Sequence, residues 1–257
     1  MNRITDYTEL KTRIVDWIKD YYTQSNLQSL VVGVSGGIDS AVVSTLCAET
    51  GLPTYVVRMP LDSSHQNTRL SDLHAQQLAE KYDNVTNVQI ELSSVYDSLL
   101  HSIKWWSEAQ QFDKKEFTSD ELANANTKSR IRMVTLYQIA GAKKGIVVGT
   151  GNKVEDYGIG FYTKYGDGGV DIAPIADLYK TEVRELGWHL GVMDEIIDAP
   201  PTDGLWDDGR SDEDQIGATY AELEEAMENG TGKAVDILYK FNRQNKHKME
   251  PIPTFKL

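Results

Sequence analysis

The chain has 257 residues, 40% apolar and 25% charged, with 20 Gly and 7 Pro, a composition that excludes disorder, collagen and a cysteine-stapled secreted scaffold. Lys and Arg number 26 against 39 Asp and Glu, so the formal charge of −13 repels a polyphosphate backbone and excludes nucleic acid as the main partner, but not a small anion met by local groups. The one cysteine, Cys47, can close no internal disulfide and build no Cys-based zinc site, which suits a reducing compartment.

Asp6 and Glu9 stand where a signal peptide would be apolar. Ile4, Tyr7, Leu10, Ile14, Trp17, Ile18 and Tyr21 then recur at steps of three and four, predicting an amphipathic helix. Leu30-Val31-Val32-Gly33-Val34 reads as a short buried strand, with similar strands at Thr54–Arg58, Val88–Leu92 and Ile146–Val148. Between and after them the pattern predicts helices over Ser40–Glu49, Ser71–Lys81, Val95–Trp106, Glu121–Ala142, Thr181–Leu190 and Glu213–Glu228. Strands alternating with helices define an α/β fold, a single doubly wound parallel sheet with helices on both faces, in one domain spanning residues 1–257. The longest apolar runs fall far short of the ~20 residues a membrane helix needs, so the expectation is a cytoplasmic protein with no membrane partner. Ala199–Ser211, rich in Pro, Gly and Asp, marks a loop. It opens an acidic stretch, Asp198–Glu228, with 11 carboxylates and only Arg210 as a base, expected to be a solvated surface segment.

The sharpest feature is Gly33-Val34-Ser35-Gly36-Gly37-Ile38-Asp39-Ser40, between a predicted strand and a predicted helix. Two adjacent glycines let the backbone turn tightly and approach a ligand with no Cβ in the way. The amides and dipole of the following helix make an anion site, which Ser35 and Ser40 can supplement and Asp39 can complete by holding a cation. The loop is not the GxxxxGK[ST] type, since no lysine precedes Ser40, and Gly33-Val34-Ser35 breaks the dinucleotide G-x-G-x-x-G pattern. Gly149-Thr150-Gly151-Asn152-Lys153-Val154 also follows a strand, but has Val154 where the third glycine belongs.

The SGGIDS pattern after an apolar strand resembles the pyrophosphate loop of the ATP pyrophosphatases, of the adenine nucleotide alpha-hydrolase-like, Rossmann-like fold. Later segments narrow the likeness: Asn126–Met133 (NTKSRIRM), Val147–Glu155 (VVGTGNKVE), Gly160–Asp171 (GFYTKYGDGGVD) and Pro174–Thr181 (PIADLYKT). Together they resemble the ammonia-dependent NAD synthetases, from about Ser35 to Lys248. One departure is that the stretch between Glu155 and Phe161 is a residue longer than in some members.

The resemblance implies ATP-dependent amidation of deamido-NAD by ammonia through an adenylated intermediate, with Mg2+ as cofactor and a homodimeric assembly. It also implies roles. Gly33, Val34, Ser35, Gly36, Gly37, Ile38, Asp39 and Ser40 match the ATP phosphate loop, Thr150 and Thr202 match ATP contacts, and Lys180 matches a catalytic lysine on the phosphates. Asp39 and Glu155 match magnesium ligands. Arg130, Lys164, Asp171, His247 and Lys248 match contacts to deamido-NAD, and Asp167 matches a catalytic residue of the ammonia site. Two competitors share the loop: a sulfur-inserting or lysidine-forming tRNA enzyme, against which the charge and the lack of a suitable cysteine speak, and a non-catalytic nucleotide sensor. The tandem Trp105-Trp106 has no place in these motifs and suggests core packing or a subunit interface.

Overall fold

The computed structural model describes residues 3–61, 65–110, 113, 117–201 and 211–256. The apolar run Leu30-Val31-Val32 forms the middle of β1 (Ser29–Gly33), buried on both sides as the centre of a parallel sheet requires. β1 pairs in parallel with β2 (Thr54–Arg58) and β4 (Gly145–Val147), and β3 (Val85–Gln89) pairs with β2, giving the order β3-β2-β1-β4. Val148 extends the sheet edge by a parallel bridge to Ile172.

The period of two along β1 feeds two cores. Leu30 and Val32 pack with residues of α1 (Tyr7–Gln24), α2 (Ile38–Glu49) and α6 (Lys180–Leu190), among them Ile18, Val42, Leu46 and Leu186. Val31 joins Val57 and Val147 on the opposite face, under Tyr96 of α4 (Ser93–Ala109) and Ala140 of α5 (Glu121–Ala142). α3 (His65–Lys81) contributes Leu70, Ala75 and Leu78 to the first core. The expected arrangement, a doubly wound parallel sheet with helices on both faces, is therefore observed. No helix among the described residues is long and apolar enough to cross a membrane.

Strand β3 lies three residues earlier than the apolar run Val88–Leu92 suggests. Its register is set by β2, with Val85 opposite Thr54 and Gln89 opposite Arg58, while buried Leu92 leads into α4. The expected helix over Glu213–Glu228 is two helices, α8 (Asp212–Ile216) and α9 (Tyr220–Asn229), separated at Gly217, whose φ of +82° ends the first. α7 (Asp194–Ile197) and α10 (Val235–Met249) lie outside the predicted elements.

The expectation that the acidic stretch is merely solvated surface is corrected over its described part. Ile216, Tyr220, Leu223 and Ala226 face inward and build a third apolar cluster with Ala234 at the N-cap of α10, Leu238 within it, and Val154 and Ile159. The carboxylates occupy the remaining face of short amphipathic helices, which composition alone does not distinguish from a loop. Residues 202–210 of the loop lie outside the described residues, and Thr202 with them.

Val154–Ile159 forms a π-helix ended by Gly160 in the left-handed region, φ +63°. A π turn closes i to i+5 and absorbs one residue more than an α turn.

Candidate active site

In the strand order β3-β2-β1-β4 the chain leaves β1 toward β2 on one side, and β4 occupies the other. The loops after β1 and β4 therefore diverge and open a crevice at the carboxyl ends of the strands. The first loop is held by its own serines: Ser35 N–H donates to Ser40 Oγ at 3.2 Å, Gly37 N–H donates to Ser35 Oγ at 3.2 Å, and Ser40 Oγ donates to the Gly37 carbonyl at 2.9 Å. Gly36 adopts φ +93°, open to glycine at little cost. The N-cap of α2 is Gly37, which has no side chain to satisfy the first-turn amides, leaving them for an anion.

Lys180, the first residue of α6 and 3% exposed, reaches into the crevice. Its Nζ lies 2.5 Å from Asp39 Oδ2 and 2.9 Å from Glu155 Oε1, tying α2 to the π-helix. Burial works against the ammonium, but the two carboxylates outweigh it and hold the Lys180 pKa above its ordinary value. Burial pushes Asp39 up, whereas at Glu155 Lys180 and the Tyr220 hydroxyl overcome burial and hold the carboxyl below its usual range.

Two hard-oxygen side chains converging on one cation suit magnesium, which commonly takes one or two carboxylates and completes its shell with substrate phosphates and water. No group of three or more His, Cys, Asp or Glu among the described residues forms a fully protein-built cage. The donor set of Asp39 and Glu155 thus fits a metal shared with a nucleotide. Thr150 follows β4 at the same mouth.

A second group lies toward α5 and α10. Asp167 Oδ1 accepts from Ser129 Oγ at 2.7 Å and from Thr163 N–H at 2.9 Å. Gly166 makes this closure possible, because a Cβ there would overlap Ser129. Exposed Arg130 donates to the Lys164 carbonyl at 3.3 Å, Lys164 Nζ donates to the His247 carbonyl at 2.8 Å, and Lys248 Nζ donates to the Tyr162 carbonyl at 2.8 Å. Asp171 accepts from Tyr137 Oη at 2.9 Å and from Val147 N–H at 2.8 Å, which places its carboxylate against the end of β4. The structure thus gathers Asp39, Glu155 and Lys180 directly, links Arg130, Lys164 and His247 in a chain, and leaves Thr202 outside the described residues.

Sequence reasoning passed over three residues. Asn152, fully buried, donates to Asp39 Oδ1 at 3.1 Å and accepts from Val154 and Glu155 N–H at 3.1 Å each, so it caps the π-helix while steadying Asp39. Tyr220, from the acidic stretch, donates to Glu155 Oε1 at 2.5 Å. The recurrence of Ile216, Tyr220 and Leu223 at helical steps was the available signal for Tyr220. Asp156, beside Glu155, also went unread. Burial, then repulsion from Glu155, Asp167 and Asp39, pushes its carboxyl up to about 8. Cys47 is fully buried and its thiol pushed up to about 12 by burial, so it is no nucleophile.

A doubly wound sheet with a serine-glycine loop at its switch point and a lysine–dicarboxylate cluster beside it defines a nucleotide-binding enzyme of the adenine nucleotide alpha-hydrolase fold. The NAD synthase family model matches residues 10–252, and the chain belongs to that family, whose members are ligases forming carbon–nitrogen bonds. It is 34% identical over 252 residues to an NH(3)-dependent NAD(+) synthetase of Finegoldia magna, covering 97% of each chain. Among solved structures it is similar to an NMN synthetase from Francisella tularensis (TM-score 0.85, 32% identity, 99% and 100% covered). It is also similar to an NH3-dependent NAD synthetase from Campylobacter jejuni (TM-score 0.75, 25% identity, 98% and 100% covered).

Proposed function

We propose that this chain, as one catalytic domain, amidates deamido-NAD to NAD with free ammonia at the expense of ATP. A carboxylate oxygen of the nicotinate attacks the α-phosphorus of ATP, the bond to the bridging oxygen breaks, and pyrophosphate leaves. Ammonia then attacks the activated carbonyl carbon, the carbon–oxygen bond breaks, and AMP departs with it. Activation is required because AMP is a far better leaving group than oxide.

The observation that carries this reading is the meeting of Lys180, Asp39 and Glu155 beside the uncapped amides of α2. Charge accumulates on the departing pyrophosphate, and preorganised amides with a fixed ammonium stabilise it more in the transition state than in the ground state. Asp39 and Glu155 would hold magnesium, which supplies further positive charge at those oxygens. Lys180 would then turn from the carboxylates to the phosphates, so one buried cation serves the site with and without nucleotide. Thr150 and Thr202 would contact ATP. Arg130, Lys164, Asp171, His247 and Lys248 would meet the dinucleotide, while Asp167 shapes the ammonia end. Cys47, the chain's one cysteine, is too buried to generate ammonia from glutamine.

Trp105 is 66% exposed and Trp106 47%, which removes core packing as their explanation. With Val95 and Leu99 of α4 and Leu122 and Val134 of α5 also exposed, this face supports a homodimer. The similarity to an NMN synthetase favours a second reading, in which the same carboxylate is amidated on the mononucleotide. Incubation with ATP, magnesium and ammonium, offering deamido-NAD or nicotinate mononucleotide, separates the two. The first reading requires NAD and AMP to form from deamido-NAD with the higher kcat/KM.

A further inference from the structure

Lys180 carries its charge on a long flexible stem, so its aim depends on how firmly its backbone is held. Contacts from three distant parts of the chain converge on its neighbours, Asp177–Glu182, and leave the Lys180 side chain to the crevice. Before it, Lys153 N–H donates to the Leu178 carbonyl at 2.9 Å and Lys153 Nζ lies 2.7 Å from Asp177 Oδ1. After it, Thr181 N–H and Oγ1 donate to the two oxygens of Glu224 of α9, at 3.0 and 2.6 Å.

The third contact comes from Arg3, ahead of α1 and 179 positions from Glu182. Its Nε donates to Glu182 Oε1 at 3.0 Å, and one terminal nitrogen donates to Glu182 Oε2 and to the Asp177 carbonyl, both at 2.7 Å. Glu182 Oε2 also accepts from Tyr179 N–H at 2.8 Å, and the Arg3 guanidinium lies 4.4 Å from the centre of the Tyr179 ring. Arg3 therefore ties Asp177, before Lys180, to Glu182, after it. A planar fork can meet two carboxylate oxygens and a ring face together, which a point charge cannot. Glu182 is 8% exposed, so loss of Arg3 would strand a buried carboxylate at the first turn of α6. Arg3 belongs to none of the motifs that carry the family likeness.

We propose that Arg3, acting through Glu182, is a positioning residue for Lys180, fixing the backbone from which the lysine reaches the phosphates. The assignment rests on the amidation reading above, in which Lys180 turns from Asp39 and Glu155 to the nucleotide. That turn delivers the ammonium to one place only if the Cα stays fixed while the side chain swings. A shift of about 1 Å, caused by a change far from the chemistry, can cost about a hundredfold in rate.

The test uses the full chain and follows single-turnover pyrophosphate release from ATP and deamido-NAD, at a temperature where every variant is folded. Arg3→Ala should slow release about tenfold, while KM for ammonium in full turnover stays within about twofold of the parent. In a Lys180→Ala background the same change should slow the residual rate by less than about twofold, because the group it positions is gone. Glu182→Gln should give the same pattern, and keeps the proposal testable if Arg3→Ala does not fold. A lower Tm with a parental rate of release would make the arm merely structural and overturns the proposal. So does an equal slowing in both backgrounds, which would mean that Arg3 acts on another group. No pyrophosphate release by the parent chain would instead overturn the amidation reading itself.

Discussion

The Tyr220 hydroxyl donates to Glu155 Oε1 across 2.5 Å, and the same oxygen lies 2.9 Å from Lys180 Nζ. The acidic stretch thereby reaches the carboxylate expected to hold metal, and the Lys180 ammonium lies 4.9 Å from the centre of the Tyr220 ring. Tyr220→Phe keeps the ring and deletes the donor. It should destabilise the fold by about 1–3 kcal/mol, the cost of leaving a buried acceptor short of a partner. It should also weaken the dependence of turnover on magnesium concentration into a shallower curve with a higher midpoint. Thermal unfolding and a magnesium titration of activity check both.

Lys180→Ala leaves Asp39 and Glu155 facing each other without their cation. Breaking such a buried cluster should cost about 3 kcal/mol in metal-free buffer. Added magnesium should restore more thermal stability to the variant than it adds to the parent, while pyrophosphate release stays severely reduced. Equal shifts in Tm on adding magnesium would separate the two carboxylates from metal binding.

Asp39→Asn and Glu155→Gln should each slow adenylation by several orders of magnitude with the fold retained. Removing a metal ligand forfeits several kcal/mol, against about 0.5 kcal/mol for an ordinary surface change. Single-turnover pyrophosphate release at saturating magnesium is the measurement. Near-parental rates in both variants would dismiss the carboxylates as ligands.

The phosphate loop was legible because its chemistry is local: an apolar strand, two glycines and serines at the start of a helix lie within a dozen residues. Lys180 and Glu155 carry no local signal and were reached only through resemblance. Asn152 and Tyr220 escaped both routes. A buried asparagine that caps a turn reads like any loop asparagine, and Tyr220 sits in a stretch whose charge masks the apolar face of a short helix. The third cluster, where α9 and α10 pack on the π-helix, depends on contacts between residues some 80 positions apart, such as Asn242 with the Gly158 carbonyl. Strand register likewise came from the neighbour: β3 ends where β2 ends, whatever its own apolar run.

His74 gives the fold its own pH dependence. It is 1% exposed between α2 and α3, 2.9 Å from Ser44 Oγ, and burial lowers its pKa from 6.5 to about 4. As pH falls below 6.5 the unfolded chain takes up the proton first, so stability declines until the folded form also protonates near 4. The loss should approach about 3 kcal/mol, and His74→Gln should remove most of that slope. Denaturant unfolding across this window decides it. A parent and variant with parallel profiles would show that His74 titrates normally.

The central claim is that the chain transfers an adenylyl group to a carboxylate before nitrogen enters. Heavy-oxygen label placed in the nicotinate carboxylate of deamido-NAD follows that oxygen through the reaction. Turnover with ATP, magnesium and ammonium should deliver one labelled oxygen to the phosphate of AMP for each NAD formed, with unlabelled pyrophosphate. Label appearing in inorganic phosphate beside ADP, or AMP formed without label, would contradict adenylation of the carboxylate.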